Sequence, residues 1–298
     1  MTQASAAVDA RHDEERAVGL WADAFRRMRR SKAAIIGGTI VGFFVLMAVF
    51  APFLAPYDPT RGNLAESYLP PFTGDHLFGT NVQGQDVLSR IIFGARLTLG
   101  IAVLSVSIGV TVGGILGATA GYFRGWVDAL IMRGVDIMLS IPGLLFAIAV
   151  VTWLGRGVVQ IAIAIAIINI PIFARLLRGS LLSLREADYV IAARSVGVGG
   201  AGLLVQHMLP NAIGPLIVQA TLALATAVVD AAALGFLGLG PPDPRTPEWG
   251  TMLSDTYRYL NDAVYLAFFP GIAIVLSVLG FNLLGDGMRE ALDPKLRR

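Results

Sequence analysis

The sequence predicts an all-α polytopic membrane protein with six transmembrane helices. Three observations carry this. Hydrophobic residues fill 55% of the 298 positions and charged residues only 15%, with mean hydropathy +0.68. A soluble domain carries about 25% charged residues, so too few charges remain here to coat a water-facing surface. Six apolar runs approach the ~20 residues that cross a bilayer, at roughly 33–54, 97–120, 129–152, 158–174, 211–237 and 264–284. Lysine and arginine divide unevenly between the connecting segments.

The run 33–54 exceeds the ~7–15 residues of a signal-peptide core and reads as an uncleaved anchor behind a cytoplasmic tail, 1–32. Residues 33–95 pair that span with an extracytoplasmic segment, rich in proline and glycine, that ends in an amphipathic patch at Asp86–Arg96. The five-helix remainder occupies 96–288, with a loop at 181–210, and a second cytoplasmic tail follows at 289–298. In the second span Gly109, Gly113 and Gly117 repeat every four residues, a stripe that lets helices approach closely. Pro142 is expected to kink the third span and shape a cavity. Ile161 to Ile168 alternates like a strand. A strand would require a barrel of many short alternating segments, so helix is the consistent reading, and Asn169, before Pro171, is expected to hydrogen-bond between helices. Gly238-Leu-Gly-Pro-Pro-Asp-Pro must end the fifth span, because proline lacks an N–H and fixes its backbone angle. Asp230 lies inside that span, where an ionisable group is costly and faces a partner or a water path.

With the N-terminus in the cytoplasm, 17 basic residues fall in cytoplasmic segments and 5 in outer ones, Arg96 sitting at a boundary. The positive-inside bias therefore puts both termini in the cytoplasm of a multi-pass plasma (inner) membrane protein.

Several function classes drop out. Cysteine is absent, which removes disulfides, thiolate metal sites and cysteine nucleophiles. His12, His76 and His207 lack metal-ligand spacing. A net charge of +2 gives no footprint for nucleic acid. Gly197-x-Gly199-x-x-Gly202 matches a dinucleotide fingerprint as text, but no strand precedes it and no acid follows at the right distance. The only lysines are Lys32 and Lys295, so no phosphate-cradling loop ends in Gly-Lys. No catalytic set is visible, and Arg156, Asp243 and Glu248 read as solvated loop charges.

The loop Tyr189 to Pro210 reads as two short helices, 186–196 and about 201–208, with Gly197 as the stop of the first and Pro210 at the start of span five. On physical grounds it is either a linker docked on its own bundle or a surface that small alanines open to another protein.

Its residues resemble a known pattern. Ala192-Ala193-x-x-x-Gly197, followed after nine residues by His207-Met-Leu209-Pro210, resembles the EAA loop of the permease subunits of ATP-driven (ABC) importers. Ile191 and His207 stand where that consensus has Glu and a hydrophobic residue, and Tyr189-Val-x-Ala-Ala-Arg with His-x-Leu-Pro-Asn is similar to the peptide (OppC/DppC-type) branch. Arg30 to Pro59, His76 to Arg90, Phe236-Leu-Gly238-Leu-Gly240, Trp249-Gly-Thr-Met-Leu253 and Leu283 to Pro294 resemble the same branch. Asn81 and Gln85 replace its usual Asp and Arg, so no ion pair is expected there.

The resemblance implies a type I ABC-importer permease fold and a non-catalytic subunit that moves peptides or related solutes by alternating access. Tyr189, Ala192, Ala193, Arg194, Ser195, Gly197, His207, Leu209 and Pro210 would couple it to the ATPases. Asp230, Asn169 and Pro142 would lie along the substrate path. Phe236, Gly238, Gly240 and Trp249 would form an outer gate or a binding-protein contact. The implied partners are a homologous second permease, two ATPase domains, an extracytoplasmic solute-binding protein and the lipid bilayer, with no nucleic acid. The chain itself would bind no cofactor and no metal; ATP and Mg2+ would sit on the ATPases. The alternative is a secondary transporter independent of ATP.

Overall fold

A computed structural model describes residues 25–292. Arg11, Arg16, His12, Lys295, Arg297 and Arg298, with the rest of 1–24 and 293–298, lie outside them. The described residues form α1 (Lys32–Val49), α2 (Ala51–Leu54), α3 (Val87–Phe123), α4 (Gly125–Ser140), α5 (Gly143–Leu154), α6 (Val158–Leu184), α7 (Asp188–Ser195), α8 (Leu209–Leu234), α9 (Trp249–Thr256) and α10 (Tyr265–Leu292). Five helices are long and apolar enough to span, and the pair α4 and α5, bent by 94°, makes a sixth candidate crossing if taken as one broken span.

The third crossing is therefore two helices rather than one kinked helix. Ile141 is extended (φ −93°, ψ 130°) ahead of Pro142, which holds φ −55° and ψ 124°. The ring disfavours helix at the preceding residue and offers no N–H to continue the ladder. The bend opens a cleft of about 420 Å³ lined by Met138 to Gly143, Phe146, Ile167, Ile168, Pro171 and Ile172.

Two helices outrun their apolar stretches. α3 begins ten residues before the apolar run because Asp86 caps it, Oδ2 accepting from the Ser89 N–H at 2.7 Å. The amphipathic patch is thus its first turns, and the boundary drawn at residue 95 falls inside the helix. With 37 residues α3 is about 55 Å long, well beyond a ~30 Å hydrocarbon core. α6 continues to Leu184 because its cationic side chains find partners on α4. Arg178 makes a two-point ion pair with Asp128, at 2.5 and 2.6 Å, and Arg175 pairs with Asp136.

The second short helix of the loop is also not separate. Residues 200–234 run on as continuous helix, in which Leu203–Met208 widens to a π-type turn just before Pro210. A widened turn accommodates a ring that would clash with the carbonyl four residues back.

α3 and α6 pack backbone to backbone along the glycine stripe. A methyl group at Gly109 would lie 2.7 Å from Asn169 Cβ, and one at Gly113 would lie 2.5 Å from the Ile170 carbonyl and 2.8 Å from Phe173 Cβ. Gly117 meets Ala174 in the same way, and Gly121 faces Leu181. At the edge of the bundle α1 packs on α10, where Gly37 meets the Gly280 and Leu283 backbone and Gly287 meets Ala34. Ser31 donates to Glu290 at 3.1 Å, so both ends of the described chain lie on one face, here the tail face. Segments 55–86 and 240–264 lie together on the opposite, cap face, joined where Tyr265 donates to the Thr80 carbonyl at 2.9 Å.

Neighbouring glycines give a test of the stripe. Gly113→Ala forces the α3–α6 backbones apart and is expected to cost about 1–3 kcal/mol. Gly114→Ala meets only Leu177 Cδ2 at 3.9 Å and is expected to be neutral or to gain up to about 1 kcal/mol from helix propensity. Thermal unfolding of the purified variants in detergent checks the sign of each.

Candidate functional site

The tail-face loop is built around α7. Asp188 in its first turn and Arg194 in its last oppose the helix dipole favourably. The helix closes in a Schellman arrangement: Val198 N–H reaches the Ala193 carbonyl at 3.1 Å and Gly197 N–H reaches that of Arg194 at 3.0 Å. Gly197 holds φ 89°, the left-handed angle such a cap requires. The chain then re-enters a helix at Gly200, which rests against the Tyr122 ring of α3.

One side of α7 is anchored. Val190 is fully buried among Leu177, Leu181, Leu203, Met208 and Ala212, with Ala193, Val198 and Leu209 packed around them, an apolar cluster separate from the main core. The other side is open: Tyr189, Ile191, Ala192, Arg194, Ser195 and Gly197 are exposed, and Val196 reaches 81%. The two alanines therefore divide, Ala193 facing the platform and Ala192 facing outward. His207 is half-buried with Nδ1 3.4 Å from the Gly202 carbonyl, while its own carbonyl accepts from Asn211 Nδ2 at 2.7 Å and Tyr189 Oη at 3.5 Å. Pro210 is exposed. The structure thus brings the nine residues read as a coupling site onto one short helix and its return strand of helix.

On the cap face the organising group is one the sequence reading misassigned. Glu248 was expected among solvated loop charges; it is 0% exposed. Its carboxylate accepts from the N–H groups of Gly250 and Thr251 at 2.9 and 2.8 Å, starting α9, and from Thr98 Oγ1 of α3 at 3.3 Å. Burial pushes its pKa above the ordinary carboxylate range, against the opposing pull of those donors. An N-cap signal was present, an acceptor side chain directly ahead of Trp-Gly-Thr, but its partner Thr98 is 150 residues away.

Trp249 is likewise buried. Its Nε1 donates to the Ile91 carbonyl at 3.1 Å, and its ring packs edge-on to Phe44 and against Gly94. Gly240 is buried against Thr251. These two positions are packed inside the cap and present no exposed surface in this structure. Phe236 is exposed, and Gly238 turns the chain at φ 77°.

Arg90, also buried, ties both cap segments together, donating to the carbonyls of Pro59, Pro244 and Arg245 and to Gln85 Oε1 at 2.7 Å. Asn81 donates to the same Gln85 oxygen at 2.8 Å, so a neutral hydrogen-bonded pair occupies the place of an ion pair. His76 Nδ1 meets Asp86 Oδ1 at 2.9 Å, with the Tyr57 ring tilted against the imidazole at 4.7 Å between centroids.

The residues read as a path separate. Asn169 is 4% exposed, hydrogen-bonds its own helix at the Ile165 carbonyl, and lies in the α3–α6 contact, so no interhelical bond forms. Pro142 is exposed at the cleft described above. Asp230 is half-buried on α8 and makes no ion pair or side-chain hydrogen bond among the described residues.

A helical bundle with an exposed, separately packed helix on one face and a folded cap on the other defines a membrane permease driven from outside its own chain. The comparisons give the family. Residues 109–298 match the profile of the binding-protein-dependent transport system inner membrane component, and 19–71 match the N-terminal TM domain of oligopeptide transport permease C. The chain is 45% identical over 285 residues, 96% of its length and 93% of the relative's, to the dipeptide transport system permease protein DppC of Alkalihalophilus pseudofirmus. It is 46% identical to the di/tripeptide transport system permease protein DppC of Pseudomonas aeruginosa, covering 90% and 89% of the two chains. It is 42% identical to the glutathione transport system permease protein GsiD of Escherichia coli O157:H7, covering 93% and 91%. Among solved structures, a chain of the MetNI methionine ABC transporter aligns with TM-score 0.58 at 20% identity, over 69% of this chain and 97% of that one. The chain belongs to the binding-protein-dependent ABC-importer permeases: it is a multi-pass inner-membrane subunit, non-catalytic, that works with an ATPase and a binding protein.

Glu248 makes a pH-dependent prediction. A carboxyl group whose folded pKa is raised contributes stability that is complete below its unfolded value, about 4.3, and is lost as pH rises through the folded value. Glu248→Gln lacks this component and turns an amide N–H toward one backbone donor, at about 1–3 kcal/mol. The stability gap between wild type and variant is expected to narrow as pH rises above ~4.3; melting curves in detergent at stepped pH measure it, and a widening gap contradicts the assignment.

Proposed function

We propose that the chain is the permease through which an ABC importer moves peptides, from dipeptides to oligopeptides, or related small solutes such as glutathione. The dipeptide, di/tripeptide and glutathione transport roles named for its relatives support this cargo class. The distribution of basic residues supports a cytoplasmic tail face with both termini inside. A homologous second permease completes the pore, two ATPase domains carrying ATP and Mg2+ engage the cytoplasmic face, and the binding protein delivers cargo to the cap.

The observation that carries the mechanism is the placement of α7. An exposed eight-residue helix, fixed to its own apolar platform and closed by a strained-angle glycine, can be moved as a body without dissolving the main core. Outward Ala192 lets a partner surface come close to the backbone. ATP binding draws the ATPases together, α7 moves with them, and the bundle shifts between inward- and outward-open states. The shift is bounded by the difference in affinity that nucleotide and cargo have for the two states.

Two substitutions test this. Ala192→Glu places a charge on the contact face, and Gly197→Val places a β-branched residue at φ 89°, a genuine outlier. In the reconstituted importer each is expected to leave the permease inserted but to abolish cargo-stimulated ATP hydrolysis. Normal stimulation in both variants sinks the lever assignment; uptake that survives ATP depletion sinks the ATP-driven reading.

A further inference from the structure

The helices that cross the bundle carry few carboxylates, and all but one are accounted for. Asp128 and Asp136 are paired with Arg178 and Arg175, Asp286 is exposed near the tail face, and Glu290 accepts from Ser31. Asp230 alone lies within an apolar stretch, 211–237, towards its cap-face end, without an ion pair or side-chain hydrogen bond among the described residues. It is four residues from Leu234, the cap-face end of α8, roughly 6 Å along the helix. An aspartate side chain is too short to snorkel that distance.

Its orientation is set by its neighbours. Ala227 and Leu234, one turn to either side on the same face, are buried in the bundle, whereas neighbouring Val229 is exposed, so half-buried Asp230 lies at the edge of the packed face. There it is flanked by exposed Thr226 one turn below and by Ala233 above. Thr226 Oγ1 donates to the Ala223 carbonyl at 3.0 Å, which leaves its oxygen free to accept. The face therefore offers a carboxylate, a hydroxyl acceptor and small alanine walls, with no cation of its own. The ionised form of an unpaired carboxyl group here is favoured by water or a cationic ligand.

We propose that Asp230, with Thr226, is a cation-binding site on the translocation path that takes the ammonium group of a peptide cargo. The inference rests on the peptide reading given under Proposed function. The ammonium group brings three donors to oxygen acceptors, and every peptide with a free N-terminus carries it, so one carboxylate serves cargo of varied side chains. A single monodentate contact of this kind also releases its ligand readily, as a path residue must.

The test uses the complete importer in vesicles, with binding protein and a defined dipeptide. The chain contains no cysteine, so Asp230→Cys gives it a single thiol. That thiol is expected to react with charged methanethiosulfonate reagents in at least one nucleotide state, read from the intact mass of this chain. Asp230→Asn is expected to lower uptake about tenfold, the loss of one charge-assisted contact, and Asp230→Glu to retain most of it. The sulfonate adduct of the cysteine variant should recover uptake better than the trimethylammonium adduct. The proposal is overturned by a thiol that stays unmodified in every nucleotide state, by uptake within twofold of wild type in Asp230→Asn, or by equal recovery with both adducts. Loss of co-purification of the second permease in Asp230→Asn also overturns it, because the cation then belongs to that partner chain. Peptide titration of the binding protein reports the cargo class separately: its failure removes the peptide reading, whereas normal binding with unchanged Asp230→Asn uptake removes this site alone.

Discussion

The backbone contact between α3 and α6 is the constraint on which the other parts depend. It exists because Gly109, Gly113 and Gly117 present no side chain toward Asn169, Ile170, Phe173 and Ala174. In hydrocarbon, helices gain little from apolar burial, since lipid tails are as apolar as leucine; close packing of backbones supplies the association instead. Once α3 is fixed in this way, its length does the rest. Its cap-face end carries Arg90, Gly94 and Thr98, which hold both outer segments through Pro59, Arg245, Trp249 and Glu248. Its tail-face end carries Ala118, Gly121 and Tyr122, which meet the platform under α7 and the return at Gly200. One helix thereby sets the positions of both the cap face and the tail face.

The two ends are held by different physics. The cap is fixed by buried polar groups, Glu248 and Arg90, each satisfied by several partners, so moving one partner leaves a buried charge uncompensated. The α7 platform is apolar and separate from the main core. Apolar contacts are non-directional and tolerate small sliding displacements that a hydrogen-bonded charge does not. Under the proposed mechanism this division is useful: the cap keeps its shape for a docking protein while the tail face follows the ATPases.

Much of this was legible in the sequence where the cause is local. The glycine period, the stop at Gly197 and the disturbance at Pro142 are properties of a few adjacent residues, and each appears where its chemistry places it. What was not legible depends on distant partners. Glu248 reads as a loop charge until Thr98 of α3 is beside it, and nothing next to Trp249 in the sequence shows that Phe44 and Gly94 enclose it. Arg175 and Arg178 ended the apolar run but not the helix, because Asp136 and Asp128 on α4 neutralise them. Pro210 looked like a boundary, and a widened turn absorbed it within a continuous helix.

Those ion pairs also connect parts that the sequence leaves unrelated. Arg178 lies between Leu177 and Leu181, the two α6 residues that carry α7, and its guanidinium grips Asp128 of α4. α4 runs from there to Ser140, and its last residues line the cleft at Pro142 together with Ile167 to Ile172 of α6. Under the proposed mechanism, displacement of α7 would reach α4 through one short stretch of α6, and the break at Pro142 would let α4 turn without dragging α5. A straight third helix would transmit the same motion rigidly to the cap face, where Glu248 and Arg90 resist it. The 94° break is in this sense the counterpart of the glycine stripe: one joins the faces of the bundle, and the other lets them move by different amounts.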